Sequence, residues 1–468
     1  MFEITPIFKN ETGMPLYLQL VQYIKVEILN GRIHPKEKLP SKRKLSKHLG
    51  ISLNTIQAAY DQLAAEGYVE SKPRLGLFVA EIDEELLPKQ ALPPETTGSE
   101  LEPSSVRIDF NSGKVDLEHF PYSVWRKLTV QSLYQDQGEI FDIGHPQGEG
   151  QLRNEIAQYL FQSRGVRCTA DQIVIGAGTQ VLMGLLCLIL GKEHVFAVEN
   201  PGFHRTRIVL QDFGAATIPI SMDEEGVDVS LLKQTNASVA YVTPSHQFPY
   251  GMVMPVSRRM ELLRWAEEIG GFIIEDDYDG EYRYKGRPIP SLQGLDSSGR
   301  VVYLGTFSKA LIPSIRISFM VLPPALLDRY LGHFTVYKQT VSRLHQDTLF
   351  RFMKEGHWQS HLNKMRTLYR RKQVSLLTAI RLYMGEHVGV IGEKSGLHIV
   401  LKVRCGMTEA ELVESALSVG VKVYPLSVYF DGPRVGGDAM VVLGFGGLTE
   451  AEINEGIRIL AETWGISQ

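Results

Sequence analysis

Cysteine is scarce in this 468-residue chain: Cys168, Cys187 and Cys405 stand far apart, with no C-x-x-C pair and no zinc-type Cys/His spacing. That pattern excludes a disulfide scaffold and a structural zinc, so no metal is expected, and it fits a reducing cytoplasm. Long apolar runs are missing too. The longest, Val181 to Leu190, is ten residues, against the roughly 20 that span a bilayer. The opening residues MFEITPIFKNETG hold no basic stretch before an apolar core, so neither a secretory leader nor a membrane role is expected. No internal repeat or low-complexity array appears. With 44% hydrophobic and 22% charged residues, wholesale disorder is excluded, and the length suggests more than one domain.

The net charge of −4 is an average over unlike halves. Residues 1–80 carry eleven Lys and Arg against seven Asp and Glu, a balance of +4, which leaves −8 for the remainder. Between them, residues 83–107 read DEELLPKQALPPETTGSELEPSSVR, with four prolines and six acidic residues. Such a segment buries too little to fold and its prolines keep it extended. The expected organisation is a small basic domain (1–82), a flexible linker (83–107) and a large acidic domain (108–468).

In the small domain, Pro15 opens a helical pattern with Leu16, Leu20, Tyr23, Ile24 and Ile28 on one face, stopped at Asn30-Gly31. Ser41 can cap a short helix carrying Lys42, Arg43, Lys44 and Lys47; after Gly50, Ser52 can cap a second one. On that helix Ile56, Ala59, Tyr60 and Leu63 make the apolar face, leaving Asn54, Thr55 and Gln57 nearer the other. GYVESKPRLGLFVA then reads as two short strands around Pro73-Arg74 and Gly76. Helix, basic helix, turn, helix, hairpin is the order of a winged helix-turn-helix, whose second helix enters the major groove while basic neighbours meet phosphate. By charge alone, a merely solvated helical face is the simpler account. LPSKRKLSKHLGISLNTIQAAYDQLAAEGYVESKPRLGLFV, however, resembles the GntR-type DNA-binding domain. The resemblance implies that Arg43, Asn54, Thr55 and Gln57 are the principal contacts to double-stranded promoter DNA, and that Ser41, Lys42, Arg74 and Gly76 are backbone or wing contacts. Leu53 and RLGLFV depart from the family, which often opens the recognition helix with arginine and builds the wing from small residues.

From residue 108 on, apolar runs such as QIVIGA, HVFAVEN, SVAYVTP, GGFIIEDDY and RVVYLGTFS alternate with polar or helical segments. This predicts an α/β domain with a mostly parallel central sheet, whose functional groups gather at the carboxyl ends of its strands. Acidic residues directly after the buried run GGFII need partners. Lys309 follows another buried run, with Arg316 seven residues later. A lysine beside a carboxylate and an arginine suits Schiff-base chemistry. The series strand–Asp–x–Tyr, strand–Thr–x–Ser–Lys, Arg resembles the pyridoxal 5'-phosphate site of fold-type I aminotransferases. The resemblance implies that Lys309 bonds the cofactor aldehyde, Asp276 pairs with the pyridine nitrogen and Tyr278 hydrogen-bonds the phenolic oxygen. It further implies that Gly178, Thr179, Gln180, Thr306, Ser308 and Arg316 hold the phosphate, that Phe203 stacks on the ring and that Arg205 meets an effector. In PSHQFPYG the family's cofactor-binding asparagine is replaced by Phe248, leaving His246 or Gln247 as substitutes.

One departure bears on function. Aminotransferases place a carboxylate-clamping arginine near the C-terminus; here Val442, in MVVLGFGG, takes its position, with Arg434 in the preceding loop. Ile143 likewise stands where an aromatic residue is expected. The two halves in this order resemble the MocR subfamily of bacterial transcription regulators, which implies a homodimer with the small domain of one subunit over the large domain of the other. The expectation is a pyridoxal-phosphate-dependent regulator that senses the cofactor or an amino compound at Lys309, without significant turnover, and controls vitamin B6 or amino-acid metabolism. Two alternatives stand beside it: a working aminotransferase with an accessory DNA-binding domain, and a DNA-binding structural protein with a dead pocket.

Overall fold

The structure, a computed structural model, describes residues 4–6, 8, 14–81, 106–135, 138–284, 290–432 and 437–467. The chain divides into two compact units, Met1–Glu102 and Pro103–Gln468. The linker expected over 83–107 lies, up to residue 105, outside the described residues, as does Arg434.

In the first unit, α1 (Leu16–Leu29) follows Pro15, and α2 (Lys42–Leu49) and α3 (Leu53–Ala65) form the helix-turn-helix. Ser41 caps α2 by accepting from the Lys44 amide, Gly50 closes it in a left-handed conformation, and Ser52 caps α3 through the Thr55 amide. Ile56, Ala59, Tyr60 and Leu63 are buried as the periodicity predicts. The buried face of α1 is rotated from expectation. Leu20 and Ile24 are its centre, joined by Val21 and Glu27, while Leu16 is 38% exposed. Glu27 tolerates burial because the Arg32 guanidinium donates to it at 3.1 Å. Strands β1 (Val69–Lys72) and β2 (Gly76–Val79) pair antiparallel, with Lys72 opposite Gly76. Arg74 turns the wing in the left-handed region, at φ +65°.

The second unit holds an eight-stranded sheet, built from β3 (Ile173–Gly176), β4 (Val195–Asn200), β5 (Ala216–Asp223), β6 (Gly226–Val227), β7 (Val239–Val242), β8 (Phe272–Asp277), β9 (Val301–Thr306) and β10 (Ser318–Val321). Their order is β3-β10-β9-β8-β7-β4-β5-β6; β9, β8, β7, β4 and β5 run parallel, and β10 is antiparallel to both neighbours. The apolar runs are continuous because both faces are covered. One face (Val198, Tyr241, Ile274, Val302) packs on α5 (Thr179–Leu190). The other packs on α4 (Gly150–Arg164) through Ile173 and Ile175, and on α7 (Val256–Ile269) through Ala240, Val242 and Ile273. Between α5 and α7 in the chain lies α6 (His204–Asp212).

After the long α8 (His357–Tyr383), a four-stranded antiparallel sheet follows the order β11 (Val388–Ile391), β12 (His398–Val403), β14 (Ala439–Gly444), β13 (Tyr424–Pro425). Leu376, Ile399, Leu401, Val441 and Leu443 share one core on its helical side. Val400, Met440 and Val442 point to the opposite side, where Tyr250, Tyr424 and Tyr429 pack against them.

Candidate functional site

Cross-strand register assembles the site. Gly176 lies opposite Ser318, and Ser318 opposite Thr306. The chain leaving β3 toward α5, the segment entering β10 and the loop leaving β9 therefore meet at one edge of the sheet. Gly178 precedes α5 at φ +97°, and a Cβ built on it would fall 2.0 Å from Arg316 Nη2. Only glycine lets that guanidinium lie against the first turn of α5, where backbone N–H groups lack helical acceptors. Arg316 itself adopts the left-handed region at φ +50°. Thr306 Oγ1 accepts from Ser318 Oγ at 2.7 Å and from the Ser308 amide at 3.2 Å. Ser308 Oγ is buried without a hydrogen-bond partner, which is unusual for a hydroxyl unless a ligand serves it. Thr179 opens α5; Gln180 is exposed, and its residue lines a separate, mostly apolar cavity of about 580 Å³ with Leu185, Phe213 and Tyr337.

Beside this edge, Asp276 and Tyr278 leave β8 next to Leu304 and Gly305 of β9, which leads to Lys309. Glu275, Asp276 and Asp277 each accept from partners drawn from four other segments, although Asp277 Oδ1 is buried without one. Glu275 accepts from the Leu292 and Gln293 amides, both at 2.8 Å. Asp277 accepts from Arg164 Nε and from the Tyr303 hydroxyl, both at 2.7 Å. Asp276 accepts from the Tyr241 hydroxyl at 2.5 Å. Burial, with Asp277 and Asp279 nearby, outweighs that bond and pushes the Asp276 carboxyl up to about 7. Such a group gains most from a cationic or N–H partner.

Lys309 Nζ donates to the Ser112 carbonyl. Burial lowers its ammonium to about 8, and the negative charge of Asp279 opposes the shift. A lysine near that value is partly neutral, hence nucleophilic, at physiological pH. Phe203, just before α6, stacks on Phe248 with centroids 4.1 Å apart and meets Tyr278 edge-on at 4.9 Å. Gln247 is spent on backbone, donating to the Pro201 carbonyl at 2.9 Å and to the Phe248 carbonyl of its own loop. His246 lies under Tyr278, its Nδ1 2.9 Å from the hydroxyl. Arg205 is exposed and near enough to Tyr429 to favour that phenolate, although burial dominates and raises the Tyr429 pKa. Val442 is fully buried opposite Val400 and Tyr424, with Tyr250 and Tyr429 packed on the same side of the sheet.

In the first unit Arg43, Asn54, Arg74 and Gly76 are exposed, on α2, α3 and the wing. Ser41 is exposed but its oxygen is committed to capping. Thr55 Oγ1 is 2.8 Å from Ser52 Oγ. The Gln57 amide is held between Lys42 Nζ at 2.5 Å and Asp61 at 2.6 Å. These contacts fix Gln57 and Lys42 as a pair rather than as two independent side chains.

The sequence reading missed Tyr241, the Arg164–Asp277–Tyr303 group and the His246–Asp279 contact. Tyr241 had a signal: it is the polar-tipped residue within the run SVAYVTP, where a buried hydroxyl needs a partner. Arg164 had none, since its partner lies 113 positions away.

Residues 16–79 match the bacterial regulatory proteins of the gntR family, and residues 106–424 match aminotransferase class I and II. The chain is 46% identical to the HTH-type transcriptional regulator YdeL of Bacillus subtilis, over 99% of this chain and 100% of that one. It is 31% identical to the probable rhizopine catabolism regulatory protein MocR of Rhizobium meliloti, over 97% and 94%. Among solved structures, the kynurenine aminotransferase of Pyrococcus horikoshii in complex with PMP superposes with a TM-score of 0.68 at 27% identity, over 82% of this chain and 97% of that one.

Proposed function

The chain belongs to the MocR subfamily of GntR-type regulators, DNA-binding transcription regulators with an aminotransferase-like domain, and from that premise we propose that its large unit holds pyridoxal phosphate and senses the cofactor or an amino compound there. The observation that carries the reading is the Gly178–Arg316 contact beside the unpartnered Ser308 hydroxyl. A guanidinium, a helix N-terminus and a free O–H around one opening suit a phosphate. Gly178, Thr179, the Gln180 amide, Thr306, Ser308 and Arg316 would hold that group. Lys309 would bond the aldehyde, Asp276 would take the ring nitrogen as the cationic partner its buried carboxyl lacks, and Tyr278 would donate to the ring oxygen. Phe203 would cover a ring face, and Arg205 would meet an effector at the mouth. When bound, the cofactor supplies an aldehyde that captures amines and a ring that withdraws electrons from them.

Val442, buried in an apolar cluster, favours sensing over amino-acid turnover, because at that position no arginine is available to a substrate carboxylate. The regulated supply is then that of the cofactor or of an amine. A ligand acts by binding one conformation of the regulator better than another. We further infer a homodimer in the cytoplasm. The dimer is supported by exposed apolar side chains, Phe141, Ile143, Val336 and Tyr337, on two segments tied together where Gln339 donates to the Pro146 carbonyl. A dimer presents two readers, each with Arg43, Asn54, Thr55 and Gln57 toward the groove and Ser41, Lys42, Arg74 and Gly76 toward the backbone. The residues that carry an amine-capturing site are also those a transaminase needs, so the test separates the two. Pyridoxal phosphate is titrated into the full-length protein while visible absorbance and promoter binding are followed. A saturable visible band that alters promoter affinity is expected. Absence of the band defeats the cofactor reading, and rapid multiple turnovers with an amino acid and a keto acid defeat the sensing one.

A further inference from the structure

His246 Nδ1 has three oxygen neighbours: both carboxylate oxygens of Asp279 at 3.0 Å and the Tyr278 hydroxyl at 2.9 Å. His246 and Asp279 are each 2% exposed, and His246 Nε2 is buried with no partner. One ring nitrogen cannot both donate to Asp279 and accept from Tyr278. It donates when it carries hydrogen and accepts when it does not. If Tyr278 donated to Nδ1, the Asp279 carboxylate would face a lone pair at 3.0 Å, and Nε2–H would be an orphaned buried donor. If Nδ1–H donates to Asp279, the only unmet group is the Nε2 lone pair, a less costly defect than an orphaned N–H.

We propose that His246 and Asp279 form a positioning pair that turns the Tyr278 hydroxyl proton away from the imidazole and into the site, so that Tyr278 donates to a ligand oxygen. The hydroxyl remains a proton carrier. Burial, reinforced by Asp279, Asp276 and Glu199, holds its pKa well above the usual phenol range. The other groups near the imidazole do not supply the missing contact. His398, whose ring centroid lies 5.0 Å away, gives its Nε2 proton to the Pro249 carbonyl at 3.0 Å. Burial, seconded by His246, keeps it neutral by lowering it to about 3. Lys309 is committed to the Ser112 carbonyl. Backbone clasps the ring: a Cβ on Gly396 would fall 1.9 Å from His246 Cε1, and one on Gly251 3.0 Å from Nε2. A flip about Cβ–Cγ would put Cδ2 in place of Nδ1 and give up the contacts to Asp279 and Tyr278.

Two measurements test this, and only the second rests on the pyridoxal-phosphate reading. A neutron structure of the unliganded protein should place deuterium on His246 Nδ1 and point the Tyr278 O–D away from it. Deuterium on Nε2, or a Tyr278 O–D directed at Nδ1, overturns the proposal whatever the ligand is. In the cofactor complex, a phenolic donor stabilises the deprotonated chromophore. His246→Leu should then raise the pH midpoint of the visible band by about one unit, a tenfold change in the proton equilibrium. In the Tyr278→Phe background the same substitution should add nothing, because its route is gone. An equal shift in both backgrounds, or none with Tyr278 in place, overturns it. If the wild type develops no band, the cofactor reading fails and the neutron result alone decides the pair.

Discussion

The two units use charge in opposite ways. In the DNA-binding unit Arg43, Lys47 and Arg74 are exposed and lie within a span of 32 residues. In the aminotransferase-like unit Glu275, Asp276, Asp277 and Asp279 are buried, and each is matched by a partner from elsewhere in the chain or its own loop. An exposed cation reads phosphate through water and salt, so its effect is modest and depends on ionic strength. A buried carboxyl has no solvent to fall back on, so its partners decide its protonation and its geometry. Disturbing the buried set should therefore cost function more abruptly than disturbing the surface set.

Lys309→Ala should have the largest effect: complete loss of the visible absorbance and of the response of promoter binding to pyridoxal phosphate. Basal operator affinity, measured without cofactor, should stay unchanged. The lysine also predicts a pH dependence. Burial favours its neutral form, so the rate of cofactor capture should rise with pH and level off above about 8, which stopped-flow absorbance would follow. A rate that falls across that range would show that Lys309 does not act as a neutral amine.

Gly178→Ala comes next. The new Cβ would strike the Arg316 guanidinium, and the position is left-handed, which costs about 1–3 kcal/mol for a side chain. Cofactor affinity, read by fluorescence titration, should fall at least about tenfold. Arg43→Ala should weaken operator binding in proportion to salt, lowering the slope of log K against log salt by about one unit. An unchanged slope would remove Arg43 from phosphate contact. Ser52→Ala is the smallest. Loss of the α3 cap should cost about 1 kcal/mol, seen as a lower Tm of the DNA-binding unit while the visible band is untouched.

Much of the fold was legible because its signals are local. Ser41, Gly50 and Ser52 mark helix ends through bonds made within three or four residues. The runs QIVIGA, SVAYVTP and GGFIIEDDY became β3, β7 and β8, since a strand covered on both faces must be apolar throughout. The face of α1 was misjudged. Periodicity ranks Leu16 above Glu27, whereas Arg32, beyond the helix, makes Glu27 the residue that can be buried. Gln57, expected among the principal DNA contacts, is tied to Lys42 and Asp61 in the structure. A pairing fifteen residues apart carries no periodic trace.

By itself the sequence determined the order of elements, the helix caps, the split of charge between the units and the residue types of the site, Lys309, Asp276, Tyr278 and Arg316 among them. Hydrophobic period, capping and side-chain chemistry act over a few residues, or belong to one residue alone. Tertiary structure decided which of those groups meet and in what state. Strand register brought Gly178 against Arg316 and set Asp276 two residues beyond Ile274, the partner of Tyr241, within reach of the Tyr241 hydroxyl. Burial raised Asp276 to about 7 and lowered Lys309 to about 8. Close approach of Gly251 and Gly396 to His246, with its Nδ1 beside Asp279 and Tyr278, set the orientation of its imidazole. Protonation depends on desolvation and on neighbours within a few ångströms, and only the folded chain supplies either.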